Sequence, residues 1–145
     1  MNIKNIIPHT SKKLVTIGEE ETVASAIKLL SSKGIGLVVV TDENDEMLGL
    51  VSERDIIKIL GEDGPKAMDT PIKDITTRHV VTCPGSAHPH DVLNKMSEYN
   101  IRHMPVMTGE KVSAVVSSRD IIKHLSKNTS PDEQAMMWAK LIRSS

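Results

Sequence analysis

Along this chain, short β-branched apolar runs alternate with stretches of helical apolar spacing, and the whole alternation occurs twice. In the first half, Val15 to Ile17 reads as a short strand. Thr22 then caps a helix with Val23, Ala26, Ile27 and Leu30 on one face. Gly34 offers the left-handed residue that ends it. Leu37 to Thr41 is an unbroken β-branched run, the pattern of a buried strand. A polar turn leads to a second strand, Met47 to Val51. Ser52 caps a helix carrying Ile56, Ile57, Ile59 and Leu60, which Gly61 is expected to stop. Residues 61–79 hold Gly61, Gly64, Pro65 and Pro71 and read as a connector.

The second half repeats the first. Leu50-Val51-Ser52-Glu53-Arg54-Asp55-Ile56-Ile57-Lys58 recurs as Val115-Val116-Ser117-Ser118-Arg119-Asp120-Ile121-Ile122-Lys123, an offset of 65. Leu14-Val15-Thr16 matches Val80-Val81-Thr82 at an offset of 66, and the helix from Val23 to Lys33 matches Pro89 to Tyr99. The slip of one falls in the turn, where Asp42 to Glu46 faces the shorter Gly109-Glu110-Lys111. Insertions confined to turns are what a structural repeat tolerates. Gly34-Ile35-Gly36 aligns with Asn100-Ile101-Arg102, and Asn is the other residue that accepts a left-handed cap. Each copy is therefore predicted as βαββα, an α/β (α+β) fold. Two units are too few for a solenoid, so the copies are expected to pack with pseudo-twofold symmetry around a shared core. The expected organisation is residues 1–66, 67–126 and a tail at 127–145. In the tail, Ser130-Pro131-Asp132-Glu133 is a capping box that opens a helix with Ala135, Trp138, Leu141 and Ile142 on one face. So short a helix must dock on its own body or on a second subunit.

Composition narrows the function. The formal charge is −1, with no basic block, and one Tyr, one Trp and no Phe leave no stacking platform, which argues against nucleic acid. Cys83 is alone, so no disulfide forms within the chain. No signal-peptide pattern and no membrane-length apolar run is visible, and the expected location is the cytoplasm.

The duplicated Ser-x-Arg-Asp turn carries the chemistry. Ser at an N-cap with Asp three residues on is an ordinary capping arrangement, and it is also a place where a carboxylate and free N–H groups can face a ligand. The two readings coexist. Arg at the first turn of a helix opposes the dipole, so its presence in both copies, as Arg54 and Arg119, points to a guanidinium fork for phosphate or to a neighbouring acid. Arg102 and Arg78 are further phosphate candidates. His88-Pro89-His90 has no Cys or acidic partner at ligand spacing, so no metal site is expected. Cys83 reads as a small buried residue. No phosphate-loop, dinucleotide or nucleophile–base pattern occurs, and no catalytic residue is assigned.

Two βαββα units, each ending in an apolar strand, a Ser-x-x-Asp turn and a helix, resemble the CBS-domain pair, or Bateman module, over about residues 1–126. The strand Ile101-Arg102-His103-Met104-Pro105-Val106 adds to the likeness, which is to the small stand-alone bacterial members. The resemblance implies an adenosine ligand in the cleft between the repeats, of the AMP, ADP, ATP, NAD(H) or S-adenosylmethionine type, and a disc-like homodimer. It implies ribose binding by Asp55 and Asp120. It implies phosphate or ribose contacts from Ser52, Arg54, Ser117, Arg119 and Arg102. The adenine pocket would involve Thr16, Val38, Val39, Thr82, His103, Met104 and Pro105. The first copy has Val39 where the family pattern and the second copy have Pro, so equal use of both sites is not implied.

The expected function is a regulatory sensor of adenine nucleotides, AMP foremost, acting on a protein partner in trans by a change of shape or partner affinity. A ligand-independent dimerisation scaffold is the alternative. An enzyme acting on the nucleotide is a third class without a nucleophile or metal to support it.

Overall fold

The computed structural model describes residues 2–7, 14–127 and 130–143. These divide into two compact units, one spanning residues 14–80, the other joining the N-terminal segment to residue 81 onward. The first unit holds β1 (Thr16–Gly18), α1 (Val23–Lys33), β2 (Leu37–Thr41), β3 (Met47–Ser52) and α2 (Glu53–Asp63). The second holds β4 (Cys83–Pro84), α3 (Pro89–Glu98), β5 (His103–Thr108), β6 (Lys111–Ser117) and α4 (Ser118–Leu125), followed by α5 (Pro131–Arg143). The predicted βαββα order is present in both. Among the described residues no helix is long and apolar enough to cross a membrane.

Each unit has a three-stranded sheet, β1-β2-β3 and β4-β5-β6, parallel at the first pair and antiparallel at the second. The registers coincide residue by residue. Ile17 pairs with Val40 as Cys83 pairs with Val106, and Leu37 pairs with Ser52 as His103 pairs with Ser117. Even the irregularity repeats, after Val40 and after Val106. Thr22 caps α1 by accepting from Ser25 N, and Gly34 ends that helix at φ 61°. Asn100 takes the same place in the second unit at φ 55°, as its alignment with Gly34 predicts.

Apolar faces close the two cores. Val38, Val40 and Val51 meet Val23, Ala26 and Ile56 in the first unit. Met104, Val106 and Val116 meet Val92, Met96 and Ile121 in the second. To each core a distant segment contributes. Ile3 and Ile6 are buried in the core of the second unit, where Ile3 N donates to Ala87 O at 2.8 Å and Lys4 N to Gly85 O at 3.0 Å. In the first unit Ile72 is buried, Ile75 packs beside it, Ile72 N donates to Glu21 O at 2.7 Å and Lys73 N to Glu19 O at 3.0 Å. These are the same two bonds, displaced by one repeat. Ile3-Lys4-Asn5-Ile6 and Ile72-Lys73-Asp74-Ile75 are thus one motif, each copy a short 3-10 turn that precedes one sequence repeat and completes the core of the other. The sequence boundary expected at residues 66 and 67 therefore differs from the packing boundary at residue 80, because Ala67 and Ile72 are buried and belong to the first unit.

Other details go beyond or against the sequence pattern. Gly61 does not stop α2, which runs on to Asp63 and ends at Gly64 with φ 65°. One glycine in an exposed last turn costs about 1 kcal/mol, too little to end a helix that Gly64 and Pro65 end two residues later. The entry strand of the second copy is only two residues long. In the first unit Val39 N donates to Val15 O at 3.1 Å. Pro105 occupies the matching position and has no N–H, so the parallel pairing starts later. Gly49 and Ala114 are equivalent but not interchangeable. A Cβ on Gly49 would collide with the carbonyl oxygen of Thr77 and lie 2.6 Å from Thr76 Cγ2, because the connector bridges to Leu50 there.

The tail docks on the body. Ser130 caps α5, accepting from Glu133 N at 3.3 Å, and α5 lies against α3 and α4. Trp138 and Ile142, on the face expected to dock on the body or on a second subunit, are exposed, as is Met136. The added helix coincides with a difference between the copies: Ile122 on α4 is 2% exposed, whereas its counterpart Ile57 on α2 is 70% exposed.

Gly49→Ala should lower the unfolding free energy by ~2–3 kcal/mol in urea titration, since the backbone of the connector must move. Ala114→Gly should cost less than ~1 kcal/mol.

Candidate functional site

Both Ser-x-Arg-Asp turns sit where a strand passes directly into a helix. Ser52 and Ser117 have extended backbones and are the N-caps of α2 and α4. Asp55 N donates to Ser52 Oγ at 3.3 Å, and Ser52 N donates to Asp55 Oδ2 at 2.8 Å. Asp120 N donates to Ser117 Oγ at 3.0 Å, and Ser117 N donates to Asp120 Oδ2 at 3.3 Å. The box therefore engages one carboxylate oxygen. Oδ1 of Asp55 and of Asp120 accepts no hydrogen bond from a described residue, and both side chains are half-buried. A carboxylate held by its cap and open on one oxygen is a preorganised acceptor for hydroxyl groups.

The strand entering each sheet is tied to the same helix end. Glu53 N donates to Gly36 O at 3.0 Å, and Ser118 N donates to Arg102 O at 2.9 Å. This ties the Arg102 backbone to the turn that carries Ser117, Arg119 and Asp120 in the second repeat. In the first repeat, Gly36 takes the place of Arg102 beside Ser52, Arg54 and Asp55. Arg54, Arg102 and Arg119 are exposed, and none forms a salt bridge with a described residue. Arg78 instead faces Glu19, with Nη2 at 4.0 Å from Oε2.

Strand register sorts the remaining candidates. Side chains alternate between sheet faces, and directly paired residues share a face. Val38 pairs with Val51 and Met104 with Val116, and all four lie in the helix-packed cores. Val39 pairs with Thr16, and Leu37 with Ser52, so Thr16, Val39 and Ser52 share the opposite face. His103, Pro105 and Ser117 share the corresponding face of the second sheet. Val39 is 1% exposed without belonging to the core of its unit. Val38 and Met104 thus stand apart from the other strand candidates, a division that period-two alternation already carries. Thr82 precedes β4, and its carbonyl accepts from Lys95 Nζ at 2.8 Å.

Lys95 was not singled out from sequence, because it sits on a helix remote in the chain. It also bears on Cys83, which is buried. Burial raises the Cys83 thiol pKa above its ordinary value, and the Lys95 ammonium partly offsets this. His88 caps α3 by accepting from His90 N at Nδ1, 3.1 Å, and the two rings stack with centroids 5.3 Å apart. Among the described residues, no group of three or more His, Cys, Asp or Glu is placed to hold a metal ion.

A tandem of βαββα units with a capped aspartate at each strand-to-helix junction defines a paired-repeat fold. The chain belongs to the CBS domain family, whose sequence pattern matches residues 3–62 and 72–127. Both matches begin at the Ile-Lys-Asx-Ile motif. The solved structure of a CBS-domain containing protein from Agrobacterium tumefaciens is similar, with a TM-score of 0.80 and 26% identity over 84% of this chain and 91% of that one. The CBS domain pair of protein MJ0100, solved in complex with 5′-methylthioadenosine and S-adenosyl-L-methionine, is similar at a TM-score of 0.78 and 28% identity, covering 89% of this chain and 98% of that one. An uncharacterized protein of Methanocaldococcus jannaschii is 30% identical over 129 residues, which are 80% of this chain and 30% of the relative. The chain thus spans less than a third of that relative's length.

Because folding raises the Cys83 pKa, the associated stability is fully present below the unfolded thiol's pKa, about 8.5, and is lost as pH rises through the folded value. Urea titrations of wild type should show this alkaline loss, and Cys83→Ala should lack that component.

Proposed function

We propose that this chain is a regulatory module that binds an adenosine-containing ligand, AMP, ADP, ATP or NAD(H), at the Ser-x-Arg-Asp ends of its two repeats. Asp55 and Asp120 accept from the ribose hydroxyls. Ser52, Ser117, Arg54, Arg119 and Arg102 meet phosphate or ribose. Thr16, Val39, Thr82, His103 and Pro105 border the base, with Val38 and Met104 contributing main-chain groups beside it. The observation that carries this reading is that, among the described residues, Oδ1 of each capped aspartate accepts no hydrogen bond and the neighbouring arginine forms no salt bridge, in duplicate. The two adenosine derivatives bound by the MJ0100 pair support the ligand class. The role is binding rather than catalysis, the ligand shifting shape or affinity for a protein partner in the cytoplasm, and the working form is a homodimer. Such a shift requires different ligand affinity in two states.

Asp→Asn keeps an acceptor for the cap but removes the charge that strengthens hydrogen bonds from hydroxyl groups. Asp55→Asn or Asp120→Asn should weaken the nucleotide bound at that repeat by about tenfold or more in isothermal titration calorimetry. Heat signals identical to wild type in both variants would remove the ribose assignment.

A scaffold reading rests on the exposed Met136, Trp138 and Ile142 of α5. Under it, truncation after Lys127 lowers the light-scattering mass and no adenine nucleotide raises the melting temperature. Under the ligand reading, nucleotide at a hundred times its dissociation constant stabilises by about 2.7 kcal/mol.

A further inference from the structure

The two repeats share one backbone but not one charge, and the differences cluster at the helix ends. In the first repeat the N-terminal turn of α2 carries Glu53, Arg54 and Asp55, and the residue whose carbonyl bonds to that turn is Gly36, which has no side chain. In the second repeat the turn of α4 carries Ser118, Arg119 and Asp120, and the residue in the place of Gly36 is Arg102. Two acids and one base stand at the first end, two bases and one acid at the second. Ser118 is 3% exposed, so the position that carries an exposed carboxylate in the first repeat carries a buried hydroxyl in the second. Arg102 and Arg119 are both exposed, and neither pairs with an acid among the described residues. Among the described residues their charge is therefore uncompensated, beside helix N–H groups that themselves favour an anion.

We infer that the two ends select different ligands: the Arg102–Arg119 end takes the phosphate-rich nucleotide, a diphosphate or triphosphate, and the Glu53–Asp55 end takes an adenosine with little or no negative charge. Arg102 is the residue that sets the difference. It supplies a second guanidinium where one alone serves a monophosphate, and its planar fork can hold a terminal phosphate bidentately. Glu53 acts in the other direction, repelling a polyphosphate while leaving a neutral or cationic 5′ group undisturbed. The inference rests on the adenosine-ligand reading above and adds to it the sorting of ligands between the repeats.

The test is calorimetry on the full chain with ADP and adenosine as probes, at low ionic strength and again at 0.5 M salt. Wild type should bind ADP more tightly than adenosine at one end, with the preference shrinking at high salt, because exposed charges are screened within about 10 Å even at 0.1 M. Arg102→Ala should weaken ADP about tenfold and leave adenosine within twofold. The doubly changed chain Gly36→Arg with Glu53→Ser should acquire a second ADP-preferring event. Circular dichroism and a thermal melt of each variant check that the fold is retained before affinities are compared. If ADP and adenosine lose affinity equally in Arg102→Ala, or if neither changes, the sorting is wrong while the ligand class stands. If neither probe binds wild type at millimolar concentration, the ligand reading fails and the sorting fails with it.

Discussion

Each half of this protein depends on a segment that belongs, by sequence, to the other half's leader. Ile3 and Ile6 fill the core of the second unit, and Ile72 and Ile75 fill that of the first. Burying an isoleucine side chain contributes on the order of 2–3 kcal/mol, and a unit of about 60 residues has little stability to spare. A repeat without its borrowed turn would therefore hold an open groove along its first helix and sheet. The backbone bonds Ile3–Ala87 and Ile72–Glu21 fix each turn in register, so exchange is specific as well as apolar. The two repeats consequently fold as partners, which is why the pair, rather than the single repeat, is the working unit.

The same economy of position governs the site. A helix start needs its first N–H groups satisfied, and Ser52 with Asp55, like Ser117 with Asp120, does this. Because the box needs only Oδ2, it orients the carboxylate and leaves Oδ1 available. Cap and binding group are one residue, so the acceptor is held rigid by the fold itself. Arg54 and Arg119 contribute nothing visible to that cap, and the exposed guanidinium is compatible with folding only because solvent screens it against the helix dipole.

Divergence between the copies is confined to places where the surroundings differ. Gly49 faces a crossing connector, whereas Ala114 does not. Val39 donates to the entry strand, whereas Pro105 gives up that bond and shortens β4. Ile57 lies open, whereas Ile122 is covered in the unit that carries α5. Gly36 and Glu53 against Arg102 and Ser118 belong to the same series, but there the backbone is unchanged and only charge differs. A change that leaves the backbone bonds intact alters what the site attracts rather than how it folds.

Local signals were legible along the chain itself: the βαββα order, both N-caps, the left-handed Gly34 and Asn100, and the alignment of the two Ser-x-Arg-Asp turns. All of these depend on spacing over a few residues, where capping and periodicity act directly. Gly61 misled because a glycine tolerates a helix as well as ending it. The Ile-Lys-Asx-Ile repeat was visible but short, and nothing local says that such a turn leaves its own repeat to pack in the other. Alternation along β2 and β5 already separates Val38 and Met104 from Val39 and Pro105, but the bond from Lys95 to the Thr82 carbonyl and the collision waiting at Gly49 were settled in three dimensions. Each needs two segments far apart in the chain to meet, and long-range contact is decided by which apolar groups can be buried together, not by the identity of near neighbours.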